Sequence, residues 1–354
     1  NYRTLYPNAN RPVTDEMLND WQSQTDHVYV LTGPLSLYEA IGVTSSEIET
    51  ATKLMNSYPK GSDLILVDAV SDGKNARQVV RWLEDKDYGN KPFFIALGIQ
   101  KPHVPFLAPD KYFDLYPYDK IRYQIDRPNM WDILPPSALS KRYEAFGFEF
   151  SKENHILRKE YMQAYHACVS FIDAQLGLVM NSLKKQGLWD DTIIVFTSDH
   201  GYHLGDHFIW GKVTLFDIGA KVPFLIRSPG ISKSGTTSEA MVELIDIYPT
   251  LADLAGLEAP NHLQGTSLRP LLGNPERLGK KKFAYSVVTR GPKNLGYALR
   301  NQNWRYGKWP DGEELYNLRS DPQEKNNLAQ KEHLKERLDV FRKALAKQQE
   351  FIQQ

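Results

Sequence analysis

The sequence lacks the features that mark three classes of protein. Its 354 residues include a single cysteine, Cys168, so no disulfide can form within the chain. No stretch approaches the roughly 18 consecutive apolar residues of a membrane-spanning helix, and the first ten residues do not have the pattern of a signal peptide. The 43 Lys and Arg residues balance 43 Asp and Glu residues. We therefore expect neither nucleic acid nor a membrane as a partner.

The chain does contain apolar, strand-like runs that alternate with helical patterns. This alternation favours an α/β fold with a mostly parallel central sheet. The strand candidates are residues 63–70, 91–99, 192–197 and 221–230. A helix is predicted around 246–255, ending at Gly256. The stretch 100–150 is rich in proline and aromatic residues, and long ordered loops of this kind are often functional.

The longest predicted helix runs from about 156 to 186 and ends at Gly187. Because Cys168 lies on its apolar stripe, we expect a buried small residue there rather than a nucleophile. The stripe follows spacings of three and four residues, which is typical of a helix facing a core; it consists of Tyr161, Tyr165, Cys168, Ile172, Leu176, Val179 and Leu183.

The pattern changes near residue 280. Short alternating runs separated by turns indicate antiparallel strands, and a final helix carries Leu334, Leu338, Phe341 and Leu345 on one face. We therefore predict a core domain over residues 1–279 and a small α+β subdomain over 280–354.

The densest group of reactive side chains is TSDHGYHLGDHFIWGK, residues 197–212, directly after a strand candidate. Ligands in open α/β sheets bind beyond the carboxyl ends of strands, and a carboxylate such as Asp199 suits a hard cation there. Asp199 and His200 are therefore candidates for half of a cation site, with Gly201 permitting a sharp turn. Lys212 follows at a distance from which it could return to the same site and bind an anionic oxygen.

Two other interpretations of this segment remain open. His200, His203 and His207 could form a zinc triad, although Gly201 and Gly205 disfavour the helix that would align them. The segment could also be a polar loop without a ligand.

A second cluster, GIQKPHVPF at residues 98–106, also follows a strand candidate. His103 lies between two prolines that restrict the backbone. A stiff loop of this kind is a suitable mount for a histidine that donates a hydrogen bond or acts as a general acid.

Together these segments resemble the sulfatase family, most closely its iduronate-2-sulfatase-like branch. The match covers nearly all of residues 64–354. The segments that carry it are DAVSDGKNARQVVRWLEDK with KPFFIALGIQKPHVPF (68–106), YMQAYHACVSFIDAQLG (161–177), TIIVFTSDHGYHLGDHFIWGK (192–212), MVELIDIYPTLADLAGL (241–257) and ELYNLRSDPQEKNNLA (314–329).

The resemblance implies an alkaline-phosphatase-like α/β fold and a site that uses Ca²⁺ or another divalent cation. Asp199 and His200 match the family's cation ligands, and Lys212 matches the lysine that holds the sulfate. His103 matches the histidine that contacts the sulfate ester. Lys101 and His207 are further candidates for substrate binding. A cation, a lysine and a histidine donor would all stabilise the negative charge of a sulfate monoester.

The sequence departs from the family at the nucleophile. Family members use a formylglycine made from the first residue of Cys/Ser-x-Pro/Ala-Ser-Arg, and no such motif occurs here. Cys168 is followed by Val-Ser-Phe, and the run from Ser137 fails at its third and fifth positions. The family's early Asp-Asp pair is also absent. We therefore expect this chain to be a fragment, inactive by itself, whose missing N-terminal segment carries the formylglycine; the alternative is a relative that no longer catalyses.

The expected function is hydrolysis of a sulfate monoester on a carbohydrate. The alternatives are a phosphate or phosphonate monoester hydrolase of the same fold, and a non-catalytic module that binds sulfated glycans. The resemblance also implies an exported compartment, such as the periplasm, the exterior or a lysosome. Loops at 104–155 and 285–312, with their Arg, Tyr and Trp residues, are expected to line the substrate cleft.

Overall fold

The computed structural model describes residues 2–5, 71–85, 91–104, 106–123, 130–139, 155–291 and 294–353. The chain divides into two compact units, each described here by itself. The first combines residues 1–123 with 146–190, and the second combines 124–145 with 191–354. The predicted division into a core domain over residues 1–279 and a small subdomain over 280–354 stays a prediction. Within the described part of the chain, no helix is both long and apolar enough to span a membrane.

The first unit is organised around one long helix. Its elements are β1 (Tyr2–Leu5), α1 (Ser71–Asp85), β2 (Phe106–Pro109), α2 (Asp110–Phe113) and α3 (His155–Lys185). Strand β1 pairs antiparallel with β2, and both α1 and β2 pack against α3. The Phe106 ring lies edge-on to Tyr161 at 4.7 Å between ring centres, in the core between β2 and α3.

Helix α3 confirms the predicted long helix to within one residue at each end. Gly187 ends it as expected, with φ of 69° and the Leu188 amide donating to the Leu183 carbonyl at 2.9 Å. Cys168 is fully buried, as predicted. The buried stripe is offset in part from the predicted one: Tyr161, Cys168, Val179 and Leu183 are buried, while Ala164, Phe171 and Gln175 are buried in place of Tyr165, Ile172 and Leu176.

The predicted central strands are only partly visible. Residues 63–70 lie outside the described residues. Residues 92–99 are extended and alternate between exposed and half-buried positions, but no ladder is described for them. All strand pairs in the described residues are antiparallel, so the mostly parallel character that we expect of the central sheet is not displayed by this part of the chain.

The first half of the second unit contains the candidate site. Its elements are β3 (Ile194–Thr197), β4 (His203–Leu204), β5 (Trp210–Gly211), α4 (Asp217–Ala220), β6 (Phe224–Arg227), α5 (Ile247–Leu254) and α6 (Arg269–Gly273). β3 pairs antiparallel with β6, from Ile194 opposite Arg227 to Thr197 opposite Phe224. β4 and β5 form a two-residue hairpin ladder in which His203 faces Gly211.

The second half is the predicted antiparallel sheet and its helix. The elements are β7 (Ala284–Thr289), β8 (Leu295–Arg300), β9 (Trp304–Trp309), β10 (Gly312–Asn317) and α7 (Lys335–Gln353). The strand order is β10-β9-β8-β7, as a simple meander gives. Leu338, Phe341 and Leu345 of α7 are buried against one face of this sheet, which confirms the predicted helix face.

The opposite face of the same sheet packs on the segment that follows β4. The buried side chains of this contact come from the sheet, from the segment after β4 and from residues 130–139; they are Leu134, Ala138, Ile209, Leu215, Phe216, Ala298, Trp309 and Tyr316. The segment that leads from β4 through Lys212 to α4 therefore packs against one face of the C-terminal sheet. This apolar contact fixes the position of that segment within the unit.

Candidate functional site

The candidate site begins where β3 ends, at the polar residues that follow the strand. Asp199 projects into solvent, with 83% of its side chain exposed. Its Oδ1 accepts a hydrogen bond from the His200 amide at 3.0 Å, and the Ser198 hydroxyl donates to the His200 carbonyl oxygen at 2.9 Å. These local bonds turn the chain so that the Asp199 carboxylate and the His200 imidazole lie on the same side.

The hydrogen bonds of His200 determine which ring nitrogen can accept a ligand. Nδ1 lies 2.8 Å from the Gly201 carbonyl oxygen. Since a carbonyl can only accept, the ring proton is on Nδ1 and Nε2 carries the lone pair. Nε2 lies 3.4 Å from Asp199 Oδ2 and 3.0 Å from Lys212 Nζ, which donates to it. Asp199, His200 and Lys212 are thus brought together.

Gly201 is required by close packing rather than by a special turn. Gly201 has no positive φ, so the sharp turn that we expected does not explain why this residue is glycine. Its amide donates to the Gly219 carbonyl at 2.9 Å. A Cβ at position 201 would overlap the Ile218 carbonyl oxygen and lie 2.9 Å from the carbonyl carbon. Only glycine allows this approach of the strand end to α4.

The segment around Lys212 has an unusual backbone. His207, Phe208 and Val213 have φ of 56°, 63° and 67°, and Gly205 and Gly211 also have positive φ. Left-handed backbone is unfavourable for residues with a Cβ and persists only where surrounding contacts hold it. Trp131 supplies one such contact, because its Nε1 donates to the His207 carbonyl oxygen at 2.7 Å.

His203 and His207 are buried and hydrogen-bonded within the protein. His203 Nδ1 donates to the Asp206 carbonyl at 3.1 Å, and its Nε2 accepts from the Thr214 hydroxyl at 2.7 Å. Burial, together with the neighbouring His207, lowers the pKa of His203 to about 3. His203 is therefore neutral, with both ring nitrogens engaged.

His207 Nε2 donates to the Glu324 carbonyl oxygen at 3.1 Å, and its ring stacks on Phe216 at 3.8 Å. These contacts give His207 a packing role, and its proposed contact with substrate stays a prediction. The three histidines do not converge into a zinc triad. Among the described residues, no group of three or more His, Cys, Asp or Glu side chains could hold a metal ion.

Arg305, Glu314 and Glu324 form a buried ionic cluster in the second unit. Arg305 Nη2 donates to Glu314 at 2.7 Å, and Arg305 Nε donates to Glu324. The other carboxylate oxygen of Glu324 accepts the Asp217 amide at 2.7 Å. Burial raises the pKa of Glu324 to about 7, and one guanidinium cannot neutralise two buried carboxylates. The sequence pattern did not reveal this cluster, since its members are distant along the chain.

His103 and Lys101 belong to the first unit. His103 is exposed, and its Nδ1 lies 2.6 Å from the Val104 carbonyl oxygen, which places the ring proton on Nδ1. Lys101 is buried and its Nζ donates to the His103 carbonyl at 3.1 Å. Burial lowers the pKa of Lys101. The roles predicted for these two residues toward a substrate stay predictions.

Asp72 supports the loop that carries His103, and the sequence alone did not indicate this role. It is fully buried in the first turn of α1, and its carboxylate accepts the amides of Gln100 and Lys101 at 2.7 and 2.9 Å. An acidic residue in the first turn of a helix is commonly explained by its favourable interaction with the helix dipole alone. The structure shows instead that it fixes the backbone that leads to His103.

The donor set of Asp199 and His200 fits a divalent cation. A carboxylate oxygen and an imidazole nitrogen 3.4 Å apart can both lie within the distance of about 2.3–2.6 Å at which Ca²⁺ takes its ligands. The single lone pair of Nε2 serves either the cation or the Lys212 hydrogen bond. Two ligands are too few for a complete site, because Ca²⁺ takes six to eight.

Two family models and several known proteins match this chain. The family model described as Sulfatase matches residues 13–257, and the one described as N-sulphoglucosamine sulphohydrolase, C-terminal, matches residues 205–351. A sulfatase of Formosa agariphila is 37% identical over 276 residues, covering 76% of this chain and 53% of the relative. Human iduronate 2-sulfatase is 29% identical over 339 residues, covering 73% and 62%. The chain thus spans between half and two thirds of these relatives' length.

Solved structures with the same fold include enzymes of two kinds. A phosphonate monoester hydrolase of Agrobacterium radiobacter superposes with a TM-score of 0.70 and 27% identity, covering 82% of this chain and 61% of that one. A protein solved in complex with its substrate D-glucosamine-2-N,6-O-disulfate superposes with a TM-score of 0.67 and 24% identity, covering 79% and 69%. These neighbours confirm the predicted alkaline-phosphatase-like fold. By the family match and by the identity to a known member, the chain belongs to the sulfatase family.

Proposed function

We propose that the protein hydrolyses sulfate monoesters, with this chain supplying part of the cation site and the groups that bind the sulfate. The observation that carries the proposal is the convergence at the end of β3, where His200 Nε2 lies within 3.4 Å of Asp199 Oδ2 and 3.0 Å of Lys212 Nζ. A sulfate ester is an anion that becomes more negative at its leaving oxygen as the bond breaks. Fixed positive charge beside it lowers the barrier.

Each group then has one task. Asp199 and His200 hold a divalent cation, and a bound cation would polarise the sulfate oxygens. Lys212 binds an anionic sulfate oxygen as a point charge. His103 in its imidazolium form donates a proton or a hydrogen bond to the leaving oxygen from Nε2, since Nδ1 donates to the Val104 carbonyl oxygen. Lys101 holds the His103 backbone through its bond to the carbonyl oxygen.

The nucleophile for this reaction is not among the printed residues, since no Cys/Ser-x-Pro/Ala-Ser-Arg motif occurs in them. We expect formylglycine on polypeptide that joins this chain in the whole protein, together with the remaining cation ligands. The substrate class that we propose is a sulfated sugar. Relatives named iduronate 2-sulfatase support this choice, and an exported compartment stays a prediction.

The test is sulfate release by the whole protein from 4-nitrophenyl sulfate and from sulfated disaccharides, measured before and after chelation of divalent cations. We expect turnover that chelation abolishes and that added Ca²⁺ restores. Binding of a sulfated disaccharide without any turnover would contradict the proposal and favour a glycan-binding role. Release from none of these esters, by protein shown to carry formylglycine, would refute it.

A second function is favoured by one observation, the likeness to a phosphonate monoester hydrolase at a TM-score of 0.70. Lys212 and a divalent cation would bind a phosphonate oxygen as well as a sulfate oxygen. The same assay with 4-nitrophenyl phenylphosphonate separates the two. A kcat/KM for the phosphonate ester above that for every sulfate ester would assign the protein to this second function.

A further inference from the structure

The backbone has positive φ on both sides of Lys212, and at Val213 it is held away from its relaxed conformation. Gly211 before Lys212 has φ of 152°, and Val213 after Lys212 has φ of 67°. For a β-branched residue, left-handed backbone is a genuine outlier that persists only where surrounding contacts hold it. The surroundings must therefore hold the chain at Val213, or the segment relaxes and moves the ammonium group of Lys212.

His203 contacts the chain on both of these sides. On one side it is the ladder partner of Gly211, the residue before Lys212. On the other side its Nε2 accepts the hydroxyl of Thr214, two residues after Lys212, at 2.7 Å. The opposite ring nitrogen donates to the Asp206 carbonyl, which sets the tautomer that accepts from Thr214.

The pair formed by His203 and Thr214 is closely surrounded. Both residues are buried, with 0% and 4% of their surface exposed. A Cβ at Gly219 would overlap Thr214 Oγ1 and lie 3.6 Å from His203 Nε2. The hydroxyl hydrogen bond therefore has no solvent to replace it, and its loss would leave a buried acceptor unpaired.

We propose that His203 and Thr214 are positioning residues for Lys212: their hydrogen bond holds the left-handed turn at Val213 and thereby keeps Lys212 Nζ beside His200 Nε2. Neither residue needs to touch the substrate. The sequence pattern singled out His203 without a function, and this contact supplies one. The inference rests on the proposed function only where turnover is concerned, because the position of Lys212 can be measured without turnover.

The test combines a position measurement with kinetics on the whole protein. Competitive acetylation with acetic anhydride, quantified by mass spectrometry relative to exposed Lys233, reports how accessible Lys212 is. Thr214→Val removes the hydroxyl at constant shape, and Thr214→Ser restores it. Thr250→Val is the matched control, because Thr250 is fully buried, donates to the Asp246 carbonyl and accepts the Leu268 amide, but lies outside the candidate site.

We expect Thr214→Val to raise the labelling of Lys212 and to lower kcat/KM for a sulfate ester, each by about tenfold, which is the scale of one lost buried hydrogen bond. Thr214→Ser should stay within about twofold of the wild type in both. Thr250→Val should leave both unchanged while losing a similar amount of thermal stability. Wild-type labelling of Lys212 in Thr214→Val, or equal changes in Thr250→Val, would overturn the proposal.

A second pair of variants decides the matter if Thr214→Val does not fold. His203→Gln can place an amide oxygen where Nε2 lies, so it should keep the labelling of Lys212 close to the wild type. His203→Asn is too short to reach Thr214 and should raise the labelling. The reverse order would contradict the proposal. If the wild type hydrolyses no sulfate ester, the proposed function fails, while the labelling data still decide whether these residues position Lys212.

Discussion

Replacing Gly201 by alanine should destabilise the second unit and disturb the candidate site together. A Cβ at this position would overlap the carbonyl oxygen of Ile218 and lie 2.9 Å from its carbon, whereas ordinary contact begins at 3.4 Å. The carbonyl carbon of Ile218 alone would have to move by the 0.5 Å that separates these distances, and the overlapping oxygen would have to move further. Since the neighbouring atoms are backbone, no side-chain rotation can relieve the overlap.

Two losses contribute to the expected effect of Gly201→Ala. Overpacking a closely packed site costs typically about 1–3 kcal/mol, and the hydrogen bond from the Gly201 amide to the Gly219 carbonyl contributes about 1 kcal/mol more. We therefore expect a loss of about 2–4 kcal/mol, which for a unit of this size lowers Tm by roughly 4–16 °C. Thermal unfolding followed by circular dichroism measures it.

Two other glycines serve as controls. Gly273→Ala adds a Cβ whose nearest neighbour is 4.0 Å away, so its stability should stay within about 0.5 kcal/mol of the wild type. Gly177→Ala lies inside α3 with nothing within 4 Å and should stabilise the protein by about 0.5–1 kcal/mol. The reasoning is refuted if Gly201→Ala unfolds at the wild-type temperature, or if all three variants lose equal stability.

Three further predictions concern charged groups. Burial raises the pKa of Glu324 from its ordinary value of 4.5 to about 7 in the folded state; the folded state therefore binds this proton more tightly, and stability should fall by up to about 3 kcal/mol as pH rises from about 4.5 to 7. Glu324→Gln should flatten that fall in urea titrations, and an unchanged slope would contradict the shift. Arg305→Met leaves Glu314 and Glu324 buried without a counter-charge, and we expect a loss of about 3–5 kcal/mol by urea unfolding; a loss below about 1 kcal/mol would show that the cluster is not held by charge. Asp199→Asn should weaken Ca²⁺ binding by the whole protein at least about tenfold in calorimetry, and equal affinity would remove Asp199 from the cation site.

Local sequence patterns predicted the elements that carry the site. The strand ending before Asp199, the long helix α3 and the face of α7 formed by Leu338, Phe341 and Leu345 all follow from apolar periodicity, which records burial directly. The placement of Asp199 and His200 beside each other follows from the general position of ligands at strand ends. These features depend on residues that are close along the chain.

Long-range contacts were not predictable from the same patterns. Glu324 lies 117 residues from His207 and holds it through a carbonyl oxygen, and nothing in the neighbourhood of either residue indicates the other. Asp72 supports the His103 loop from 28 residues upstream of Gln100. For Gly201, the pattern indicated a turn, whereas the cause is the approach of Ile218. Such contacts are set by how elements pack, and one sequence does not record them.

The proposed site is tested most directly by the kinetics of a single lysine. Lys212→Ala removes the lysine that is proposed to bind a sulfate oxygen, and Lys233→Ala removes an exposed lysine of the same unit. We expect Lys212→Ala to lower kcat/KM for 4-nitrophenyl sulfate by at least about a hundredfold, as loss of one preorganised charge does, and Lys233→Ala to leave it unchanged. Equal kcat/KM for the two variants, in correctly folded whole protein, would contradict the role of Lys212 and with it the proposed site.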